Sequence, residues 1–160
     1  MNRPTGVPER IWDAMSLYEK RLLTSGIDDV TVVIPTGSWM FDPEGAAERN
    51  AGFDFLCFVD QDKITSMERR VTWKEKGRLW NQVTSDLGIV AFRHTAADLL
   101  LLLCCDSDIL EWLTGAHHVI LEHPEKFSDK RKRNAYLSRI AHHGDGRKHG
   151  IVVGAKGGQS

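Results

Sequence analysis

The chain has 160 residues, of which 27% are charged and 41% hydrophobic, and its formal net charge is -1 at pH 7. This composition is typical of a globular domain and excludes collagen-like, disordered and disulfide-scaffold classes. The longest apolar run, Leu99 to Cys105, is shorter than the ~20 residues of a membrane helix, and no apolar signal segment is evident. We therefore expect one α/β domain over residues 1–160, with a small mixed β-sheet flanked by helices, in the cytoplasm and without a membrane span.

The charge is distributed unevenly along the chain. Residues 126–160 contain nine Lys and Arg against two acidic residues, whereas residues 1–125 contain twelve Lys and Arg against twenty acidic residues. A basic segment that follows an acidic body indicates an acidic partner, such as a nucleic-acid backbone, or charge compensation within the molecule. Because the total charge is near zero, any nucleic-acid contact is expected to be local.

The N-terminal third predicts a helix, a strand and a loop. Apolar residues at helical spacing predict a helix over about residues 8–25. The β-branched run Val30–Ile34 predicts a buried strand that ends at the breaker Pro35-Thr36-Gly37. Residues 42–52, with one proline and two glycines, are typical of a loop.

The middle of the chain predicts a hairpin followed by a helix. Residues 53–59 predict a strand, and the polar residues 60–63 predict a turn that leads into a hairpin partner over 67–74. From Lys76 to Leu87 the apolar spacing is helical, and residues 89–92 predict a short strand.

The C-terminal third is ambiguous at first and helical later. Residues 96–105 fit either a buried helix or a central strand, and we favour the strand. Asp108 and Glu111 form a capping-box pattern for a short helix, and Ser128 is expected to cap a helix over about 128–143. The three cysteines are odd in number and lie in apolar surroundings, which predicts free thiols.

A possible catalytic acid lies in the segment Gly52-Phe53-Asp54-Phe55. This segment and the predicted order of elements resemble the core of the restriction-endonuclease-like nucleases, the PD-(D/E)XK superfamily. In such enzymes an acid on one strand and an acid-x-lysine on the next bind Mg²⁺, which polarises the scissile phosphate beside the lysine. The resemblance implies that Asp54 is a Mg²⁺ ligand and Lys74 the lysine, although Thr72 stands where the second acid belongs.

Other carboxylates would have to complete such a site. In an alternative register Glu68 supplies the acid and Arg70 replaces the lysine, but arginine does not release its proton to act as a base. Glu19 on the first predicted helix would add a supplementary carboxylate. Strand alternation would place Glu68, Arg70, Thr72 and Lys74 on one face. The resemblance thus implies a Mg²⁺-dependent phosphodiester hydrolase or a degenerate relative that binds nucleic acid without cutting it.

The basic residues of the last segment are the predicted nucleic-acid contacts. Four of them are consecutive at a helix start, where they oppose the helix dipole and favour an anionic partner. The alternative function is that of a non-enzymatic regulatory protein, which would use the same helix to hold an acidic protein. The predicted contacts are Lys130, Arg131, Lys132, Arg133, Arg139, Arg147 and Lys148.

Two tryptophans are candidates for stacking on a nucleic-acid base. Trp39 lies in a predicted loop and Trp73 on a predicted strand, although for Trp73 we favour core packing over stacking. The sequence contains no nucleophile elbow, Walker A motif or dinucleotide glycine pattern.

Overall fold

The computed structural model describes residues 3–4, 6–86, 89–108, 111, 119–120, 122–123, 125–127, 129, 131–132 and 135–136. The chain divides into two compact units, Met1–Cys105 and Asp106–Ser160. This division precedes residue 126, after which the chain becomes basic. The single domain expected over residues 1–160 stays a prediction.

The first unit contains a mixed sheet of six strands. Its strands are β1 (Val32–Thr36), β2 (Phe53–Phe58), β3 (Thr72–Glu75), β4 (Arg78–Asp86), β5 (Ile89–His94) and β6 (Leu99–Cys104). They lie in the order β1-β2-β6-β5-β4-β3. The pair β2 and β6 is parallel, and every other neighbouring pair is antiparallel. The predicted α/β class with a small mixed sheet is confirmed.

Helices flank this sheet. They are α1 (Glu9–Arg21), which continues as a π-helical turn over Leu22–Gly26, α2 (Ser38–Phe41), α3 (Pro43–Arg49) and α4 (Gln61–Glu68). The helix predicted over 8–25 is confirmed, and it buries Ile11 and Met15 in the core. The ring of Tyr18 packs edge-on against Phe53 at 5.7 Å, which holds α1 near the start of β2.

The loop predicted over residues 42–52 is wrong, because most of it forms α3. The Asp42 carboxylate caps this helix by accepting a hydrogen bond from the Gly45 N–H at 3.2 Å. Pro43 occupies the first turn, where its missing N–H has no cost. The prediction that the first strand ends before Pro35 is also wrong, because Pro35 lies within β1. Proline is tolerated there because β1 is an edge strand.

The hairpin predicted between residues 53–59 and 67–74 is wrong. The expected turn is the start of α4, whose N-cap Asp60 accepts a hydrogen bond from the Lys63 N–H at 2.8 Å. The partners of β2 are β1 and β6, so the strand predicted over 53–59 is confirmed but its pairing is not. A polar Asp-rich stretch serves equally well as a turn or as a helix cap.

The helix predicted from Lys76 is wrong, because this segment is β4. Lys76 and Gly77 both have positive φ, 53° and 77°, and form the two-residue turn of a β3–β4 hairpin. A register shift between Gln82 and Thr84 inserts Val83 as an extra residue. Such a bulge interrupts the two-residue alternation of a strand, and the apolar spacing therefore imitates that of a helix.

Most of the remaining predictions agree with the described residues, but the cap predicted at Asp108 is wrong. Asp108 is itself helical, and its backbone N–H donates to the Asp106 carboxylate at 2.8 Å. Residues 89–92 belong to β5, and the favoured strand within 96–105 is β6, preceded by a 3₁₀ turn over Thr95–Ala97. In the second unit the described residues 107–108, 111, 131–132 and 135–136 are helical. The predicted cap Ser128 lies outside the described residues. All three cysteines are free, and Cys57 and Cys104 are buried.

Candidate functional site

The structure separates Asp54 from Lys74. Asp54 is on β2 and Lys74 is on β3, and three strands (β6, β5 and β4) lie between them. At ~4.8 Å between neighbouring strands, their backbones are about 19 Å apart. The expectation that the two residues flank one ion depended on pairing β2 with β3, and it fails with that pairing.

Asp54 has a packing role on β2, next to the edge strand β1. It lies opposite Thr36 of β1, and its carboxylate fills the space beside Gly37 that a Cβ atom would need. Gly37 has φ of 79° and precedes α2. The side chain therefore belongs to the junction between β1 and α2, and its role as a Mg²⁺ ligand stays a prediction.

The supplementary carboxylates lie on two different helices. Glu68 is the last residue of α4 and is exposed, so Glu68 and Arg70 do not extend a polar strip along β3 as predicted. Glu19 lies half-buried on α1, where burial raises the pKa of its carboxyl group. Asp54 and Lys74, which the family resemblance places beside one Mg²⁺ ion, therefore do not fit a shared site, and the roles of Glu68 and Glu19 stay predictions.

The structure describes two of the seven residues that we predict to contact nucleic acid. Arg131 and Lys132 are helical and exposed, and the Arg131 backbone N–H donates to the Asp129 carboxylate at 2.8 Å. Trp39 and Trp73 have exposed fractions of 3% and 2%, so the core packing favoured for Trp73 is confirmed and the base stacking considered for Trp39 is wrong. The other predicted contacts, Lys130, Arg133, Arg139, Arg147 and Lys148, lie outside the described residues.

Sequence reasoning missed an ionic network around Glu75. Glu75 Oε1 accepts hydrogen bonds from Lys63 Nζ at 3.0 Å and from Trp73 Nε1 at 3.2 Å, and Glu75 Oε2 accepts one from the Asp28 backbone N–H at 2.7 Å. The Lys63 ammonium also lies 5.2 Å from the centre of the Trp73 ring. Both oxygens of this carboxylate are engaged, so Glu75 anchors α4 and the loop at Asp28 to β3.

A cluster of hydrogen-bond donors lies beside this network. We call Arg78, Trp80 and His94 the donor cluster. Arg78 Nη1 and Trp80 Nε1 are buried and have no hydrogen-bond partner in the part of the chain that the structure describes. The His94 ring lies 5.0 Å from the Trp80 ring. Burial, together with the nearby Arg78 charge, lowers the pKa of His94 and favours a neutral imidazole near pH 7.

A local signal could have indicated both the network and the donor cluster. The turn Lys76-Gly77 is compatible with a tight hairpin, and the alternation on either side of it places Trp73 and Glu75 with Arg78 and Trp80 on one face. No sequence motif predicts that Lys63 joins the network or that His94 joins the donor cluster, because neither residue lies in the β3–β4 hairpin.

Comparison with known proteins adds no assignment. No protein-family model matches the chain, and neither the curated proteins nor the solved structures provide a match. Among the described residues, none of the helices combines the length and apolarity of a membrane-crossing segment. The function is therefore inferred from the side chains of this protein alone.

Proposed function

We propose that the protein binds nucleic acid through its phosphates and does not cut it. The observation that carries the binding part is the exposure of Arg131 and Lys132 in the segment where basic residues are concentrated. The observation that carries the non-catalytic part is the separation of Asp54 from Lys74 by three strands.

Arg131 is available to an external anion. Its side chain is 94% exposed, and its charged contact with the Asp129 carboxylate is long, at 3.8 Å. Exposed ion pairs contribute little to stability, so a phosphate can replace this one at small cost.

The burial of three of the five tryptophans favours contacts with phosphates over contacts with bases. Sequence-tolerant binding of single strands commonly uses exposed aromatic rings, and Trp39, Trp73 and Trp80 are all buried. Contacts made by Arg and Lys to phosphates carry no direct sequence information. The proposed binding is therefore sequence-independent and depends on local charge.

Reversing the two described cations is expected to weaken binding and reduce its salt dependence. The double variant Arg131→Glu/Lys132→Glu should make the slope of log K against log salt less negative by about two units. The reason is that binding releases about one fewer counterion for each phosphate contact that is lost. The measurement is fluorescence anisotropy of labelled duplex DNA and RNA over a series of salt concentrations.

The matched control is Arg69→Glu/Arg70→Glu, which makes the same charge change at two exposed residues beyond the end of α4. The control should retain the wild-type slope. An equal loss in both variants would mean that only net charge matters and would contradict the assignment. No binding at low salt would contradict the proposed function and favour an acidic protein as the partner.

Incubation with nucleic acid is expected to produce no cleavage. A Mg²⁺-assisted hydrolase needs ligands that converge on one metal ion beside the scissile phosphate, and Asp54 has no Lys74 beside it. The assay uses single- and double-stranded DNA and RNA with Mg²⁺ or Mn²⁺, at protein concentrations that saturate binding. Cleavage by the wild type that disappears in Asp54→Asn, with folding intact, would overturn this expectation.

A further inference from the structure

We propose that the donor cluster of Arg78, Trp80 and His94 binds a small oxyanion, a phosphate or carboxylate group carried by a small molecule. This site differs from the proposed nucleic-acid surface, and its assignment does not depend on that function.

The first argument is the lack of partners for two buried donors. Trp80 has no exposed surface, and neither its Nε1 nor Arg78 Nη1 has a hydrogen-bond partner among the described residues. Buried N–H groups are almost always satisfied in native proteins, by protein atoms, ordered water or a ligand. Two unsatisfied donors on one face of β4 therefore indicate that an acceptor other than the described residues belongs there.

The second argument is that the nearest acid is already engaged. Glu75 lies directly opposite Arg78 in the β3–β4 register and would be its natural partner. Its oxygens instead accept hydrogen bonds from Lys63, Trp73 and the Asp28 backbone. The positive charge of Arg78 is thus left for another anion.

The third argument is that the three side chains of the donor cluster lie on the same face of the sheet. Arg78 and Trp80 are two residues apart on β4 and share one face of the sheet. Asn81 pairs with Arg93, so the next residue along β5, His94, lies beside Trp80 on that face. Arg78 and His94 are partly exposed, whereas Trp80 is buried. A small ligand would therefore enter between the Arg78 and His94 side chains and reach the Trp80 indole.

The donor types define the ligand. A guanidinium and an indole N–H both donate and do not accept, so the complementary ligand is an acceptor, and its negative charge would pair with Arg78. Neutral His94 can donate a third hydrogen bond. Because Trp80 is fully buried, a small molecule fits this site better than a phosphate within a nucleic-acid backbone.

The test follows the indole N–H signal of Trp80 by ¹H–¹⁵N NMR. The protein is titrated with inorganic phosphate and, separately, with acetate, with sodium chloride at matched ionic strength as the reference. The signal is assigned by its absence in Trp80→Phe. We expect a saturable downfield shift of the Trp80 proton with at least one of the two anions and none with chloride.

The decisive comparison is between Arg78→Gln and Arg93→Gln. Each removes one positive charge, but Arg93 lies on the opposite face of the sheet and pairs with Asp98 at 3.4 Å. Saturation should be lost in Arg78→Gln and kept in Arg93→Gln. Should Arg78→Gln fail to fold, Arg78→Lys keeps the charge, changes the donor geometry and should weaken binding at least several-fold.

The outcomes separate the two ligand groups from a failure of the proposal. A shift with phosphate alone assigns a phosphate group, a shift with acetate alone assigns a carboxylate, and a shift with both assigns a general oxyanion site. No saturable shift with either anion, or an unchanged shift in the folded Arg78 variant, overturns the proposal. Nucleic-acid binding should be unaffected by Arg78→Gln, which keeps the two proposals independent.

Discussion

Replacing Glu75 with alanine is expected to lower the free energy of unfolding by about 2–4 kcal/mol, because it leaves the largely buried charge of Lys63 without its partner. The Lys63 and Glu75 side chains are each 13% exposed and lie 3.0 Å apart. The same change removes the acceptor of Trp73 Nε1 and of the Asp28 backbone N–H. Urea denaturation of the wild type and the variant measures the loss.

A nearby exposed ion pair provides the matched control. Lys76 and Asp28 lie 3.2 Å apart with side chains 48% and 63% exposed. Lys76→Ala is therefore expected to cost less than about 1 kcal/mol, since water screens exposed pairs. Comparable small losses in Glu75→Ala and Lys76→Ala would show that Glu75 is hydrated in solution and that the network is not an anchor.

A double-mutant cycle distinguishes the ion pair from the other hydrogen bonds of Glu75. The variants Lys63→Met and Glu75→Gln remove one charge each, and their combination leaves no unpaired charge. The double variant should lose less free energy of unfolding than the two single variants lose together. Each single variant leaves one charge without a partner, whereas the double variant leaves none. Additive losses would mean that Lys63 and Glu75 contribute separately.

Elements with a continuous pattern could be predicted from the sequence. The spacing of apolar residues in α1 follows one helical face, and the Leu-rich run of β6 fits a strand enclosed between β2 and β5. These patterns depend on which face of an element is buried, and that information is local to the segment.

Pairing between distant strands could not be predicted in the same way. The prediction for Asp54 and Lys74 assumed that strands adjacent in sequence are adjacent in the sheet. In the structure β6 pairs with β2 after returning from far along the chain, and α4 follows β2 directly. The acid and the lysine were separated by this topology, which no local pattern of residues reports.

The Glu75 network and the donor cluster illustrate the same principle at the level of side chains. Asp28, Lys63 and Glu75 come from a loop, a helix and a strand, so they have no common spacing. His94 joins Trp80 only because β5 pairs with β4. The chemistry of these residues is visible in the sequence, whereas their proximity is a property of the fold.

Replacing Gly37 with alanine is expected to lower the free energy of unfolding by about 2–4 kcal/mol, through backbone strain and overpacking. Gly37 has φ of 79° and ψ of -161°, a conformation that is essentially restricted to glycine. An added Cβ would also collide with the carboxylate of Asp54. Thermal and urea denaturation measure the loss.

Gly77→Ala is the control for backbone strain alone, because Gly77 has φ of 77° and nothing lies within 4 Å of an added Cβ. It should cost about 1 kcal/mol. The excess loss in Gly37→Ala then reports contact with Asp54 together with the stronger backbone strain at Gly37, and adding Asp54→Ala to Gly37→Ala should recover the part that is due to the contact. If the two glycine variants lose equally and Asp54→Ala recovers nothing, the Asp54 carboxylate does not pack at this junction.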